Sequence, residues 1–219
     1  MVLELMPSTP IFAQVITAGS PRCPGVALTF DLCPVRKGSG YDQPLMDYLI
    51  AHRIPATFFM SGKWMAKHEP EVDHLLGMDF FEVGTHGDVH AHLPLHDADE
   101  QRTEILGPVK ILQDHYAYTA TLFRPPYGEY NAVTVAVVQL LGLQFIQWNI
   151  DPDPTLSAEH ILARVAKQTK PGSIIVFHAN GKGKQTRQVI EQLATKVLPQ
   201  KGLKPMTVSE LLNCQSSTP

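Results

Sequence analysis

The chain has 219 residues, of which 44% are hydrophobic, and 18 lysines and arginines stand against 21 aspartates and glutamates. This length and composition fit one α/β domain with a sizeable core and exclude a disordered chain. The net charge is −3 and no long basic run is present, so nucleic acid is not expected as a partner. No segment approaches the ~18–20 apolar residues of a membrane span. The oligomeric state cannot be inferred from these figures.

The two ends of the chain show the least regular pattern of apolar and polar residues. We predict an N-terminal extension over residues 1–23, one domain over 24–212 and a C-terminal tail over 213–219. An apolar stretch near the start is similar to the end of a secretory signal, although Glu4 and Pro7 interrupt it. A periplasmic or extracellular location is therefore expected, with a cytoplasmic one as the alternative.

The three cysteines leave two interpretations open. In an exported protein Cys23 and Cys214 can form a disulfide between the two ends of the domain, which leaves Cys33 over. The alternative is three free thiols.

Apolar, β-prone runs alternate with helical patterns along the chain. Strands are predicted over residues 26–30, 56–60, 80–83, 121–123, 143–148, 173–177 and 203–206. Helices are predicted over residues 42–52, 64–76 (with a break), 97–115, 131–141, 157–169, 186–197 and 208–212. Alternation of this kind is typical of parallel βα units, arranged either as a barrel or as an open sheet.

Polar residues stand at or just past the C-terminal ends of five different predicted strands: Asp31, His86, Arg124, Asp151 and His178. In a closed barrel these strand ends form one ring around one mouth, where catalytic groups collect. An open sheet would scatter them along an edge. The pattern therefore favours a barrel.

Two histidines, His86 and His90, follow the third predicted strand four residues apart. If the backbone turns helically after Thr85, both rings lie on one face and can reach one cation. Asp88 would then point away from the ion. The alternative is a surface or packing pair, and His92 is interpreted as an ordinary surface histidine.

The carboxylates and the last histidine also have two interpretations each. Asp31 is either a catalytic group or a cap, and the absence of a helix directly after it favours catalysis. His178 is an acid or base at a strand tip, or else a core histidine with satisfied hydrogen bonds. Asp151 can orient or tune His178, although its Asp-Pro-Asp-Pro context is also typical of a turn.

Arg124 begins a stiff loop, because two prolines follow it. Pro125 and Pro126 have no N–H, so the N–H of Tyr127 is the first free donor and can stabilise an oxyanion. The alternative is a proline-rich turn with a surface arginine.

Taken together, these fragments resemble the motifs of the polysaccharide deacetylase (NodB homology) family, carbohydrate esterase family 4. Five motifs match in order over roughly residues 24–212: Thr29-Phe30-Asp31, His86-Gly87-Asp88-Val89-His90, Arg124-Pro125-Pro126-Tyr127-Gly128, Asp151 and Val176-Phe177-His178. Each motif alone is common, whereas all five in this order are specific.

The resemblance implies a distorted (β/α)7 barrel that removes acetyl groups from an N- or O-acetylated polysaccharide, such as peptidoglycan, a chitin-like polymer or an exopolysaccharide. It also implies a divalent metal, with zinc as the favoured ion. By this analogy His86 and His90 are metal ligands, and Asp31 takes a proton from the attacking water.

The remaining roles also follow from the resemblance alone. Tyr127 contributes its N–H to the oxyanion, and His178 protonates the departing amine or alkoxide. Arg124 orients the catalytic aspartate, and Asp151 is similar to the carboxylate that tunes the acidic histidine.

The sequence departs from the family pattern at three places. Leu32 stands where the family has a second, metal-ligating aspartate, Gly87 replaces a Ser or Thr, and Pro154-Thr155 replace an Asp-Trp ending. Three outcomes are open: Asp31 also ligates the ion, water completes the ligand set, or the protein is a relic that binds metal poorly. The competing functions are accordingly a non-catalytic glycan-binding module and an amide hydrolase with a small non-sugar substrate.

Overall fold

The computed structural model of the chain describes residues 14–214. Its eight named strands form one sheet in which each pair runs in parallel. The strands are β1 (Val15–Ile16), β2 (Gly25–Leu32), β3 (Ala56–Met60), β4 (Phe81–Thr85), β5 (Leu122–Phe123), β6 (Gln144–Ile146), β7 (Ile174–His178) and β8 (Lys204–Met206). They lie in the order β1-β6-β5-β4-β3-β2-β7, and β8 pairs with the start of β2.

The sheet closes on itself between the segment after β6 and strand β7. Ile150 forms a parallel bridge with Ile175, and the N–H of Val176 donates to the carbonyl of Ile150 at 3.1 Å. The barrel is distorted because a single bridge closes it here, where a regular barrel would have a full pair of strands. The predicted (β/α)7 barrel is confirmed.

Helices follow most strands and cover the outside of the sheet. They are α1 (Gln43–Ala51), α2 (Gly62–Met65), α3 (Glu69–Leu76), α4 (Ala98–Tyr116), α5 (Ala132–Leu140), α6 (Ala158–Gln168), α7 (Thr186–Gln192), α8 (Leu198–Gln200) and α9 (Val208–Asn213). Side chains cap the first turns of α4 and α6, since Asp97 accepts from the N–H of Glu100 and Ser157 accepts from the N–H of His160.

The strands bury both of their faces. Phe30, Phe58 and Phe177 stack on the side of the sheet that faces the helices, with ring centroids 5.3 and 5.7 Å apart. Phe59 and Ile146 belong to a separate, smaller cluster. Since side chains alternate along a strand, Thr29 and Asp31 of β2 lie on the face opposite to Phe30. Polar residues of β2 therefore enter the barrel next to apolar ones.

The sheet begins earlier than the predicted domain boundary at residue 24. Strand β1 pairs with β6 through Val15 and Phe145, so residues 14–23 are part of the barrel rather than a separate extension. A disulfide joins Cys23 to Cys214, which confirms the disulfide interpretation and contradicts that of three free thiols. The suggested signal remnant in residues 1–13 and the tail after residue 214 lie outside the described residues.

Within residues 14–214, none of the helices combines the length and the apolar character that crossing a bilayer requires.

Candidate active site

The register of the parallel strands brings the predicted residues to one end of the barrel. Asp31 of β2 is the ladder partner of His178 in β7. Thr85 of β4 pairs with Phe123 of β5, so His86 and Arg124, each one residue further on, also stand side by side. The predicted ring of strand ends is thus present.

Arg124 is fully buried and contacts Asp31 directly. Its Nη1 donates to Asp31 Oδ1 and to Thr29 Oγ1, both at 2.9 Å, and its Nη2 donates to the carbonyl of Gln147 at 3.3 Å. The guanidinium carbon lies 4.1 Å from the centre of the Phe59 ring. The interpretation of a surface arginine is therefore wrong, and Asp31 is held in one orientation by a charge-assisted hydrogen bond.

The histidine pair sits on a loop and not on the predicted helical turn. Residues 86–90 form no helix, and Gly87 and His90 have φ angles of +72° and +67°. The rings nevertheless lie with centroids 5.0 Å apart, because the left-handed residues fold the loop back on itself. The spacing predicted the proximity correctly but through the wrong backbone geometry.

Glu104 of α4, which the sequence analysis did not single out, holds this loop. Its buried carboxylate accepts from the N–H groups of Val89 and Ala91, at 3.1 and 2.9 Å. A Cβ added at Gly87 would lie 2.7 Å from Glu104 Oε1 and 2.9 Å from Pro126 Cγ, which explains the glycine at this position. The sequence signal that could have identified Glu104 is a carboxylate among the residues of the amphipathic helix α4. As predicted, Asp88 points elsewhere: its carboxylate packs against Gly107.

The electrostatics of the cluster favour an ionised Asp31 among neutral imidazoles. Burial alone would raise the pKa of Asp31, but the attraction of its ionised carboxylate to His86, Arg124 and His178 outweighs burial and holds the pKa below its usual range. Of these three neighbours, Arg124 is the cation at neutral pH. Burial lowers the pKa of His86 and of His178, and it lowers the pKa of His90 to about 3. The imidazoles are therefore free bases at neutral pH.

The donor chemistry of this cluster fits a divalent ion. His86 Nδ1 bonds to the carbonyl of Arg124 at 2.9 Å, which leaves the lone pair on Nε2. That Nε2 lies 3.7 Å from Asp31 Oδ2, near the separation of about 3.4 Å between two ligands in a tetrahedral zinc site. In the described part of the chain, however, no three His, Cys, Asp or Glu side chains converge closely enough to enclose an ion. Asp31, His86 and His90 share a cleft without forming a finished ligand set.

Leu32, which replaces the usual second aspartate, is fully buried in the main core cluster. It supplies no donor, and its side chain does not line the cleft. The next residue, Cys33, is the free cysteine among the described residues, and its Sγ lies 3.4 Å from Lys182 Nζ. Lys182, which lines the cleft, thus contacts the residue that follows Leu32.

Tyr127 lies at the rim of the cleft in a left-handed conformation with φ +59°. Its ring is 52% exposed and stacks in parallel on His92, with centroids 4.0 Å apart. Among residues 14–214 we find no acceptor for its backbone N–H. The predicted free donor is thus available. His92 is half exposed, as expected for a surface histidine, but it also supports the Tyr127 ring.

Asp151 lines the same cleft but makes no hydrogen bond to His178. Its Oδ1 accepts from the N–H of Asp153 at 3.0 Å, which is the turn geometry that the Asp-Pro-Asp-Pro sequence also predicted. It raises the pKa of His178, but burial, which lowers that pKa, and the charges of Asp31, Lys182 and Arg124 all have larger effects. Of the two predicted roles, orienting and tuning His178, the second stays a prediction that this effect on the pKa supports.

One cleft at the mouth of the barrel collects nearly all of the predicted residues. Its lining includes Asp31, His86, His90, Tyr127, Asp151 and His178. Arg124 lies beneath this surface, where water does not reach it. A buried carboxylate and three imidazoles thus meet in one groove at the mouth of the barrel.

Comparison with known proteins identifies the family of the chain. The polysaccharide deacetylase profile matches residues 18–146. The chain belongs to the polysaccharide deacetylase family, as the motifs indicated, and this family is generally metal-dependent.

A curated relative is the peptidoglycan-N-acetylglucosamine deacetylase of Listeria monocytogenes, 30% identical over 194 residues that cover 85% of this chain. The chain spans only 27% to 38% of the length of the longer curated relatives that it matches.

Solved structures share the fold over most of the chain. The crystal structure of a peptidoglycan N-acetylglucosamine deacetylase has a TM-score of 0.82 and 25% identity, covering 92% of this chain and 94% of its own. A family 4 carbohydrate esterase pseudoenzyme from Bacillus anthracis has a TM-score of 0.79 and 23% identity, covering 91% of this chain and 69% of its own. The second likeness concerns the fold alone.

Proposed function

We propose that this chain is a hydrolase that removes acetyl groups from an N- or O-acetylated polysaccharide. The observation that carries the proposal is the position of Asp31, whose carboxylate is hydrogen-bonded to Arg124, lies 3.7 Å from His86 and is the ladder partner of His178. Curated relatives include deacetylases of peptidoglycan, of chitooligosaccharides and of xylan, which are the substrate classes to test first.

Asp31 is proposed as the base that takes a proton from the attacking water. Its lowered pKa keeps it ionised at neutral pH, and the bond to Arg124 leaves Oδ2 on the side of the imidazoles. A positioned base of this kind contributes about 10²- to 10⁴-fold to turnover.

His86, His90 and Asp31 are the residues that would hold a divalent ion, with zinc as the favoured metal. When bound, such an ion polarises the acetyl carbonyl and lowers the pKa of its water to about 7. Because Leu32 offers no ligand, we propose that Asp31 also ligates the ion or that water completes the ligand set.

His178 is proposed as the acid that protonates the departing amine or alkoxide. Burial lowers its pKa, so the ring is neutral in the free cleft and has first to receive the proton that Asp31 takes from the attacking water. The free N–H of Tyr127 is proposed as the oxyanion donor, and Asp151 as a distant carboxylate that favours the charged form of His178.

One observation favours a second candidate, a non-catalytic glycan-binding module. Leu32 removes an anionic ligand, and no three-ligand group is assembled within residues 14–214. This candidate predicts that the cleft binds the sugar polymer but releases no acetate.

A location outside the cytoplasm is part of the proposal. The disulfide between Cys23 and Cys214 supports it, because disulfides persist in oxidising compartments.

The test combines zinc content with acetate release from acetylated chitooligosaccharide, peptidoglycan strands and acetylated xylan. We expect about one zinc per chain and acetate from at least one polymer, with both lost in His86→Ala and His90→Ala. The control is His74→Ala, an exposed histidine on α3.

Other outcomes separate the alternatives. Neither zinc nor acetate, with glycan binding retained, would favour the binding module. Zinc without acetate from any polymer would favour a small non-sugar amide as substrate. Full zinc content in both histidine variants would contradict the ligand assignment.

A further inference from the structure

A second cleft opens beside the candidate active site and shares three lining residues with it, His90, Tyr127 and Lys182. Its lining adds Arg36 and Lys37 and includes no aspartate or glutamate among the described residues. The active-site cleft, by contrast, is lined by two carboxylates, those of Asp31 and Asp151. We call the second cleft the basic groove.

The three cations of the basic groove are not neutralised by the protein. Within residues 14–214, no carboxylate lies at ion-pair distance from Arg36, Lys37 or Lys182. Arg36 and Lys37 are exposed, and neither side chain makes a hydrogen bond to another described residue. Their positive charges therefore create a positive electrostatic potential at the groove, which attracts anions.

Buried contacts join the two loops that carry these cations. The amide of Asn180 donates to the carbonyl and to the Sγ of Cys33, both at 3.0 Å, and both residues are buried. Lys182 donates its N–H to Asn180 Oδ1 at 3.2 Å, and its Nζ lies 3.4 Å from Cys33 Sγ. The loop after β2 and the loop after β7 thus form one unit, which holds Lys182 at the junction of the two clefts.

We propose that the basic groove binds a carboxylate of the glycan, so that the preferred substrates are acidic acetylated polymers. This inference rests on the proposed function and names its substrate class. A sugar with its acetyl group in the active-site cleft would place a neighbouring carboxylate-bearing sugar along Lys182 towards Lys37. A neutral polymer would leave the three cations without partners.

The test uses an oligosaccharide of alternating N-acetylglucosamine and N-acetylmuramic acid, and the same compound with its carboxylates methyl-esterified. We expect the wild type to bind the acid about ten times more tightly than the ester, and to favour it similarly in kcat/KM. The ratio of the affinity for the acid to the affinity for the ester should fall as the salt concentration is raised, since exposed charges are screened.

The double variant Arg36→Gln/Lys37→Gln should lower the preference for the acid roughly three- to tenfold and leave binding of the ester unchanged. Lys182→Met should lower it further. The matched control is Lys196→Gln/Lys201→Gln, which removes two exposed cations that line neither cleft.

Binding and turnover are measured separately, so failure of the two proposals can be told apart. Preferential binding of the acid without acetate release would refute the hydrolase and support the groove. Equal binding of acid and ester by the wild type, or an equal loss in the control variant, would overturn the groove proposal.

Discussion

The two ends of the barrel use buried polar groups in different ways. At the N-terminal ends of the strands, helix α9 closes the barrel: Thr57 Oγ1 accepts from the N–H of Val208, and Glu82 accepts from Thr57 and from the N–H of Ser209. At the C-terminal ends, the polar groups meet in an open cleft. The polar groups at the first end hydrogen-bond to one another. At the second end, polar side chains line a cleft that a ligand can enter.

Backbone strain and unsatisfied donors are also found at the C-terminal end. Gly87, His90 and Tyr127 have positive φ angles there. The Nε of Arg124 is buried, and no described residue accepts from it. Such features persist only where the surrounding structure enforces them, and they gather at functional sites. The difference teaches that the polar groups of one end stabilise the fold, whereas those of the other end include the residues proposed for the chemistry.

The strongest way to break this comparison is Arg124→Met. Removing the guanidinium leaves the buried Asp31 carboxylate without its partner, so we expect a loss of about 3–5 kcal/mol in unfolding free energy. Urea unfolding measures this loss. Arg53→Met is the control, because its pair with Asp79 is exposed and worth about 0–1 kcal/mol. Equal losses in both variants would contradict the account. If Arg124→Met fails to fold, Arg124→Lys is measured instead; it keeps the charge but loses the planar fork of donors, so its loss should be smaller but still exceed that of Arg53→Met.

The closed end is tested by replacing Cys23 and Cys214 with serine. We expect a loss of about 2–4 kcal/mol in stability, because the disulfide restricts the unfolded chain. Turnover at a temperature where the variant stays folded should be unchanged, since the disulfide lies far from the cleft in the fold. A fall in kcat that accompanies the loss of stability, although the variant is still folded, would show that the two ends are coupled.

The open end should also make stability depend on pH. His90 has a pKa of about 3 when folded and near 6.5 when unfolded, so the unfolded chain binds more protons between these values. Stability of metal-free protein should therefore be highest above pH 6.5 and decrease as pH falls towards 3. His90→Gln should flatten this dependence in thermal melts, and His74→Gln should not. An unchanged pH dependence in His90→Gln would argue that the ring is not buried as described.

The smallest effect is expected for Glu82→Gln at the closed end. The amide keeps an acceptor for Thr57 and Ser209 but loses its charge, so about 1 kcal/mol of stability should be lost with no change in turnover. Chemical unfolding and acetate release on the same preparation check both parts. A fall in turnover of more than tenfold would contradict the assignment of Glu82 to stability alone.

Most of the fold follows from local patterns in the sequence. The runs around Phe30, Phe58 and Phe177 alternate with helical stretches, and the seven predicted strands are present. Strand β1 is missing from the prediction because two residues, Val15 and Ile16, carry no periodic signal. Pairing with β6, a contact distant in sequence, is what makes them a strand.

The site was predictable in its members but not in its geometry. Strand ends identified Asp31, Arg124 and His178, because parallel register aligns the ends of neighbouring strands. The loop of His86 and His90 was not predictable, since its shape depends on Glu104 from a helix that follows later in the chain. Interactions between segments distant in sequence leave no local pattern.

The central claim is that the ionised Asp31 carboxylate, held by Arg124 among the imidazoles, activates the attacking water. The most direct measurement is the turnover number of Asp31→Asn on the best acetylated substrate, with the exposed Asp114→Asn as the control. The account predicts a loss of about 10²- to 10⁴-fold for Asp31→Asn and none for the control. Unchanged turnover in a folded Asp31→Asn protein would contradict it.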